Sequence, residues 1–272
     1  MSMFNLPSVR IPLLESTDVP SDDEYINESL IYYIKQLKQP DTESYKKLNT
    51  VCNMNESIFF YKYLELFQTF SFQREGIKIC YVGGEDNNAQ KALTLLRGKL
   101  DQHENVLVED GDLVIASLHS STYEVVQEVL RKQKKGGVLI LQVADIFDTS
   151  TVHLLYLVAA CYSAVCIYTP MLYTGQNKYV IASQLSQNID LTIPPPYKFK
   201  PSQLFLTKLV EINTIIGQKR LEQMRFTTTC EYECIIWKSK YLTGLHNMNF
   251  DTNSRSYQVQ ERFKTAHSNT IN

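Results

Sequence analysis

The stretch KKGGVLILQVADIF, Lys134 to Phe147, decides how the rest of the chain is read. A basic run meets a Gly-Gly pair, and an unbroken apolar segment follows. Such a run suits a parallel strand covered on both faces by helices. One residue breaks the pattern. Gln142, an uncharged amide, stands where the strand emerges.

Working outward, the neighbouring segments repeat the same alternation. Upstream, Ser121 and Glu124 form a capping box that opens a helix with Val125, Val126, Val129 and Leu130 on one face. Lys132, Lys134 and Lys135 follow at its end, where cations suit the helix dipole, and Gly136 closes it. Before this lie a strand in DLVIAS (Asp112–Ser117), a short strand in ENVLVE, a helix in AQKALTLLRGKL, and a first strand, IKICYVGG, ending in Gly83 and Gly84. Downstream, VHLLYLVAACYSAVCIY reaches membrane-spanning length, but His153 and Ser163 mark it as a buried helix running into a strand. AVCIYT and KYVIASQL are then joined by PMLYTGQN, short enough for a hairpin. The fold class is α/β with helices on both faces of a Rossmann-like sheet and a terminal antiparallel hairpin.

Residues 1–22 are polar, acidic and proline-bearing and read as mobile or partner-bound. A single domain at 23–245 follows, with its core at 55–185. Helices are expected at 24–38, 42–51 and 56–70, the third capped by Asn55. After the triple proline Pro194–Pro196, helices fill 201–245. The first of them turns Leu206, Leu209 or Val210, Ile212 or Asn213, and Ile216 inward, and TTCEYECIIWKSKYL fits either helix or strand, with helix the preferred reading. The Asn/Ser/Thr-rich tail, 246–272, reads as disordered.

The net charge of −2 leaves no global positive field to draw in nucleic acid. Local patches remain: Arg131, Lys132, Lys134 and Lys135, which also suit a helix end, and Lys198 and Lys200 interleaved with Tyr197 and Phe199, where aromatics could stack on bases. Cysteines at 52, 80, 161, 166, 230 and 234 match no zinc-site spacing, so no metal is expected and the thiols read as free, in a reducing compartment. MSMFNLPSVRIPLLES holds no long apolar run of the kind a cleavable signal needs. A cytoplasmic location without membrane contact is the expectation. His119 among Ser117, Ser120 and Ser121 lacks the G-x-S-x-G elbow of a hydrolase.

A lysine-bearing helix, a glycine-ended strand, DLVIAS, GGVLILQV and a final hairpin ending KYVIAS come in an order that resembles the FtsJ/RrmJ-like family of S-adenosylmethionine-dependent RNA 2'-O-methyltransferases. The resemblance covers about residues 55–185 and rests on order and spacing rather than on any single motif. It implies four side chains, Lys-Asp-Lys-Glu, that deprotonate a ribose hydroxyl for attack on a methyl sulfonium. Carried over by position, FFYKYLEL supplies Lys62, DLVIAS puts Ser117 in place of the aspartate, Gln142 replaces the second lysine, and QNKYVI puts Asn177 in place of the glutamate. An amide neither takes nor gives a proton at neutral pH, so the resemblance implies a pseudo-methyltransferase.

The cofactor loop of the family uses glycine for close backbone approach to the methionine moiety. Here Gly83 and Gly84 are followed by Glu85, Asp86 and Asn87, which add bulk and negative charge near a carboxylate-bearing ligand. Only 24 residues, Asn88 to Gly111, separate this loop from DLVIAS, room for one helix and one strand. No cofactor is therefore expected, with S-adenosylmethionine the candidate should one bind. The chain is also similar to the family of small, non-catalytic subunits of poxvirus mRNA-capping enzymes. That likeness implies a protein partner, the capping enzyme or its cap N7-methyltransferase subunit, with RNA contact a further possibility. Tyr32, Tyr33, Tyr61, Tyr63, Tyr156, Tyr162 and Tyr173 suit such an interface, though several must belong to the core. An active, divergent 2'-O-methyltransferase built on Lys62, and a plain RNA-binding module, are the competing readings.

Overall fold

A computed structural model describes residues 2–9, 56–72, 77–82, 87–97, 112–117, 122–143, 146, 148–171, 178–186, 201–225, 236–237 and 240–242. The expected helices at 24–38 and 42–51, the ENVLVE strand, the 246–272 tail, and Lys198 and Lys200 lie outside these residues.

The elements run β1 (Ser2–Leu6), α1 (Ile58–Phe70), β2 (Ile79–Val82), α2 (Asn87–Arg97), β3 (Leu113–Ser117), α3 (Thr122–Lys132), β4 (Val138–Val143), α4 (Thr149–Cys161), β5 (Tyr162–Thr169), β6 (Lys178–Leu185) and α5 (Gln203–Arg225). They build one six-stranded mixed sheet in the order β1-β5-β6-β4-β3-β2. β2, β3 and β4 are parallel, while β6 enters antiparallel between β4 and β5. This α/β sheet is compatible with a Rossmann-like fold. The end of the chain's first segment is a correction: Ser2–Leu6 is an edge strand antiparallel to β5, not a mobile terminus.

The alternating pleat sends side chains into two apolar layers. One layer packs Leu139, Leu141 and Val143 of β4 against α3, α4 and α5. The other packs Ile140 with Ile79, Tyr81, Leu113, Ile115, Tyr179 and Ile181 against α1, α2, Trp237, Tyr241 and Leu242. Helix α4 is apolar on nearly every side because α5 covers its outer surface, with Tyr156 edge-on to Phe205 at 5.1 Å. It runs into β5 without an intervening residue. Phe205 is buried together with Leu209, Ile212, Asn213 and Ile216, and Leu206 packs partly buried against the same core. The contact with Tyr156 fixes Phe205 on that face.

The Gly-Gly pair has two separate jobs. Gly136 sits at φ +80°, a left-handed conformation that costs a residue with a Cβ about 1–2 kcal/mol. At Gly137 a Cβ would lie 2.8 Å from both Lys134 O and Gln133 Nε2, so nothing larger than glycine fits. The buried Gln133 amide is the hub here. Its Nε2 donates to Val138 O at 2.8 Å, and its Oε1 accepts from the Tyr162 hydroxyl. Gly136 N–H reaches Leu185 O at 2.9 Å, tying the turn to the end of β6.

Ser57, not Asn55, caps α1, its hydroxyl accepting from Phe59 N–H at 3.3 Å. Tyr61, Tyr63, Tyr156 and Tyr162, all read as candidates for a partner surface, are core residues.

Candidate functional site

The carboxyl ends of parallel strands are where α/β sheets place ligands. At that end the register aligns Ser117 of β3 with Gln142 of β4, and Gln142 with Tyr179 of β6. Gln142 lies two residues beyond Ile140, on the sheet face that α1 covers, and is partly buried. Helix α1 reaches this row directly: the Tyr63 ring meets the Tyr179 ring at 5.7 Å. Lys62 is the next residue on that helix. Three of the four carried-over positions therefore lie on elements packed together, and Asn177 falls outside the described residues. Lys178, the residue after it, opens β6 and is buried.

Of the cofactor-loop positions, Gly83, Gly84 and Glu85 lie outside the described residues. Asn87 is the exposed first residue of α2 and does not take the left-handed conformation that asparagine tolerates.

The charged pair on α1 dominates the site. Lys62 is only 2 % exposed and Glu65 is fully buried. Burial pushes the Lys62 amine down from 10.5 to about 8, opposed by the attraction of Glu65. Its ammonium stands 5.2 Å from the centre of the Phe59 ring. Among the described residues no carboxylate forms an ion pair with it.

Glu65 has a full set of donors instead. The Tyr168 hydroxyl donates to its Oε1 at 2.5 Å, Met171 N–H reaches Oε1 at 2.8 Å and Oε2 at 3.1 Å, and Trp237 Nε1–H reaches Oε2 at 2.7 Å. Burial raises the pKa of this carboxyl, and the hydrogen bonds from Tyr168, Met171 and Trp237 oppose that rise. Glu65 thus joins α1, the end of β5 and Trp237. The sequence carried one sign of it: a Lys and a Glu three residues apart inside the otherwise apolar IFFYKYLELF.

The basic run at the end of α3 is partly paired. Arg131 and Lys132 both pair with Glu128, and Lys134 pairs with Asp112 at 3.4 Å. This favours its helix-end role over phosphate binding. Cys80, Cys161 and Cys166 are buried, and burial pushes the Cys161 and Cys166 thiols up to about 12 and about 11. Such thiols are poor nucleophiles and poor metal ligands. Among the described residues no group of three or more His, Cys, Asp or Glu is placed to hold a metal, and no helix is long and apolar enough to cross a membrane. No protein-family model matches the chain, and no curated protein matches it.

Proposed function

We propose that this protein is a catalytically degenerate RNA 2'-O-methyltransferase relative that acts as a regulatory or stimulatory subunit of a viral-type mRNA cap methyltransferase. The observation that carries the reading is Gln142, neutral and aligned with Ser117 at the carboxyl ends of the parallel strands. Proton removal from a ribose hydroxyl needs titratable groups at that row, and two adjacent positions there have none. A fold in this condition acts by docking to a protein partner, here the capping enzyme or its N7-methylating subunit. Co-purification from the native cytoplasmic or virion context tests it. Recovery of a cap methyltransferase whose rate rises on adding this chain is the expected result, and a partner set with no RNA-modifying enzyme overturns it.

One observation favours a second reading, an active divergent methyltransferase. Lys62, buried and shifted to about 8, has the properties of a tuned general base. Calorimetry with S-adenosylmethionine separates the two. Micromolar binding followed by methyl transfer to capped RNA that Lys62→Ala abolishes selects the enzyme.

A further inference from the structure

Helix α5 carries apolar residues on two sides. Its inward side places Phe205, Leu209, Ile212 and Ile216 in the core. On the outward side Leu204 is 70 % exposed and Ile215 42 %. One exposed leucine on a surface helix is ordinary. The spacing is not. Leu204, Lys208, Glu211 and Ile215 follow one another at steps of four, three and four residues, the narrow seam of a coiled coil rather than the broad face of a core helix. Between the apolar ends stand one cation and one anion, Lys208 and Glu211, paired at 2.9 Å and both open to solvent. Thr207 and Thr214, also exposed, flank the seam with small uncharged side chains that let a second helix come close.

The seam is complementary to itself when reversed. A second copy laid antiparallel on it, with the two-fold axis level with the peptide bond between Leu209 and Val210, puts Ile215 of the second copy on Leu204. In the same register its Glu211 faces Lys208, and both contacts recur on the other side of the axis. Apolar thus meets apolar and acid meets base at every seam position. A parallel pairing in register sets Lys208 on Lys208 and Glu211 on Glu211, so charge selects the antiparallel direction.

We propose that the outward seam of α5 is a self-association surface whose occupant is the same seam of a second copy of this chain. Pairing covers Leu204 and Ile215 and joins two intrahelical ion pairs into a cluster of four charges across the axis. Four side chains per copy make a small interface, so the dissociation constant is expected on the order of tens of micromolar or above. The inference stands on α5 alone and does not depend on the capping-subunit reading.

Sedimentation velocity on the full chain, from micromolar to near-millimolar protein, tests it. The parent is expected to pass reversibly from monomer to dimer over that range. Lys208→Glu alone and Glu211→Lys alone each set like charges across the axis twice, and each is expected to weaken the dimer about tenfold or more. An equimolar mixture of these two variants restores opposite charges at both contacts and is expected to associate more tightly than either alone, close to the parent. Leu204→Gln, which leaves the charges in place and removes apolar contact, is expected to weaken the dimer about tenfold as well. All of these side chains are exposed, so the variants are expected to fold, which circular dichroism checks. A parent that stays monomeric at near-millimolar protein overturns the proposal. So does a dimer indifferent to Leu204→Gln, or a mixture no tighter than the single variants. A monomeric parent whose seam binds a different protein, with binding lost in Leu204→Gln, also overturns it and assigns the face to that partner.

Discussion

The two ends of the parallel sheet are built on opposite principles. At the amino end of β4, Gln133, Tyr162, Val138 O and the Gly136–Gly137 turn interlock through neutral groups that satisfy one another. At the carboxyl end, on the α1 face, a buried ammonium and a buried carboxyl lie one turn apart without an ion pair, beside a row holding Ser117 and Gln142. A neutral, closed network fixes a turn. A charged pair left unmatched costs stability, and folds retain that kind of cost where something binds or switches.

The contrast breaks hardest at Glu65. Glu65→Ala strands three donors, on Tyr168, Met171 and Trp237, and is expected to lose about 3–5 kcal/mol in urea unfolding. Glu65→Gln keeps one acceptor oxygen but turns an amide N–H toward groups that donate to the carboxylate, and is expected to lose less than the alanine variant, about 1–3 kcal/mol. At the neutral end, Gly137→Ala is expected to cost about 2–3 kcal/mol, since its Cβ meets backbone oxygen. Lys62→Met moves stability the other way. The folded chain binds fewer protons than the unfolded chain between about pH 8 and 10.5, so this residue makes stability rise with pH across that window. Below it, the buried ammonium is a standing cost. The methionine variant is therefore expected to be roughly 2–3 kcal/mol more stable at pH 7 and to lose the alkaline rise, measured by denaturation at several pH values. The smallest effect is expected from Gln142→Lys: under the docking reading, methyl transfer to capped RNA stays at background, because Ser117 supplies no carboxylate. Activity well above background would reopen the enzymatic reading.

The stretch from α3 through β6 was legible because each element signals its own period, and Gln142 was legible as the one polar residue in an apolar run. The β1 strand was not, since Ser2–Leu6 becomes a strand only by pairing with β5, far along the chain. The role of Glu65 was hidden for the same reason: its hydrogen-bond partners Tyr168 and Trp237 lie 103 and 172 residues away. The inward face of α5 was legible from its spacing, but Phe205 was not, since its burial rests on Tyr156 of α4.

Trp237 is the sole tryptophan in the chain, and its indole nitrogen ends on a carboxylate. Emission excited selectively in that ring therefore samples one place in the molecule, so the protein carries a built-in optical probe of the packing around Glu65 on α1.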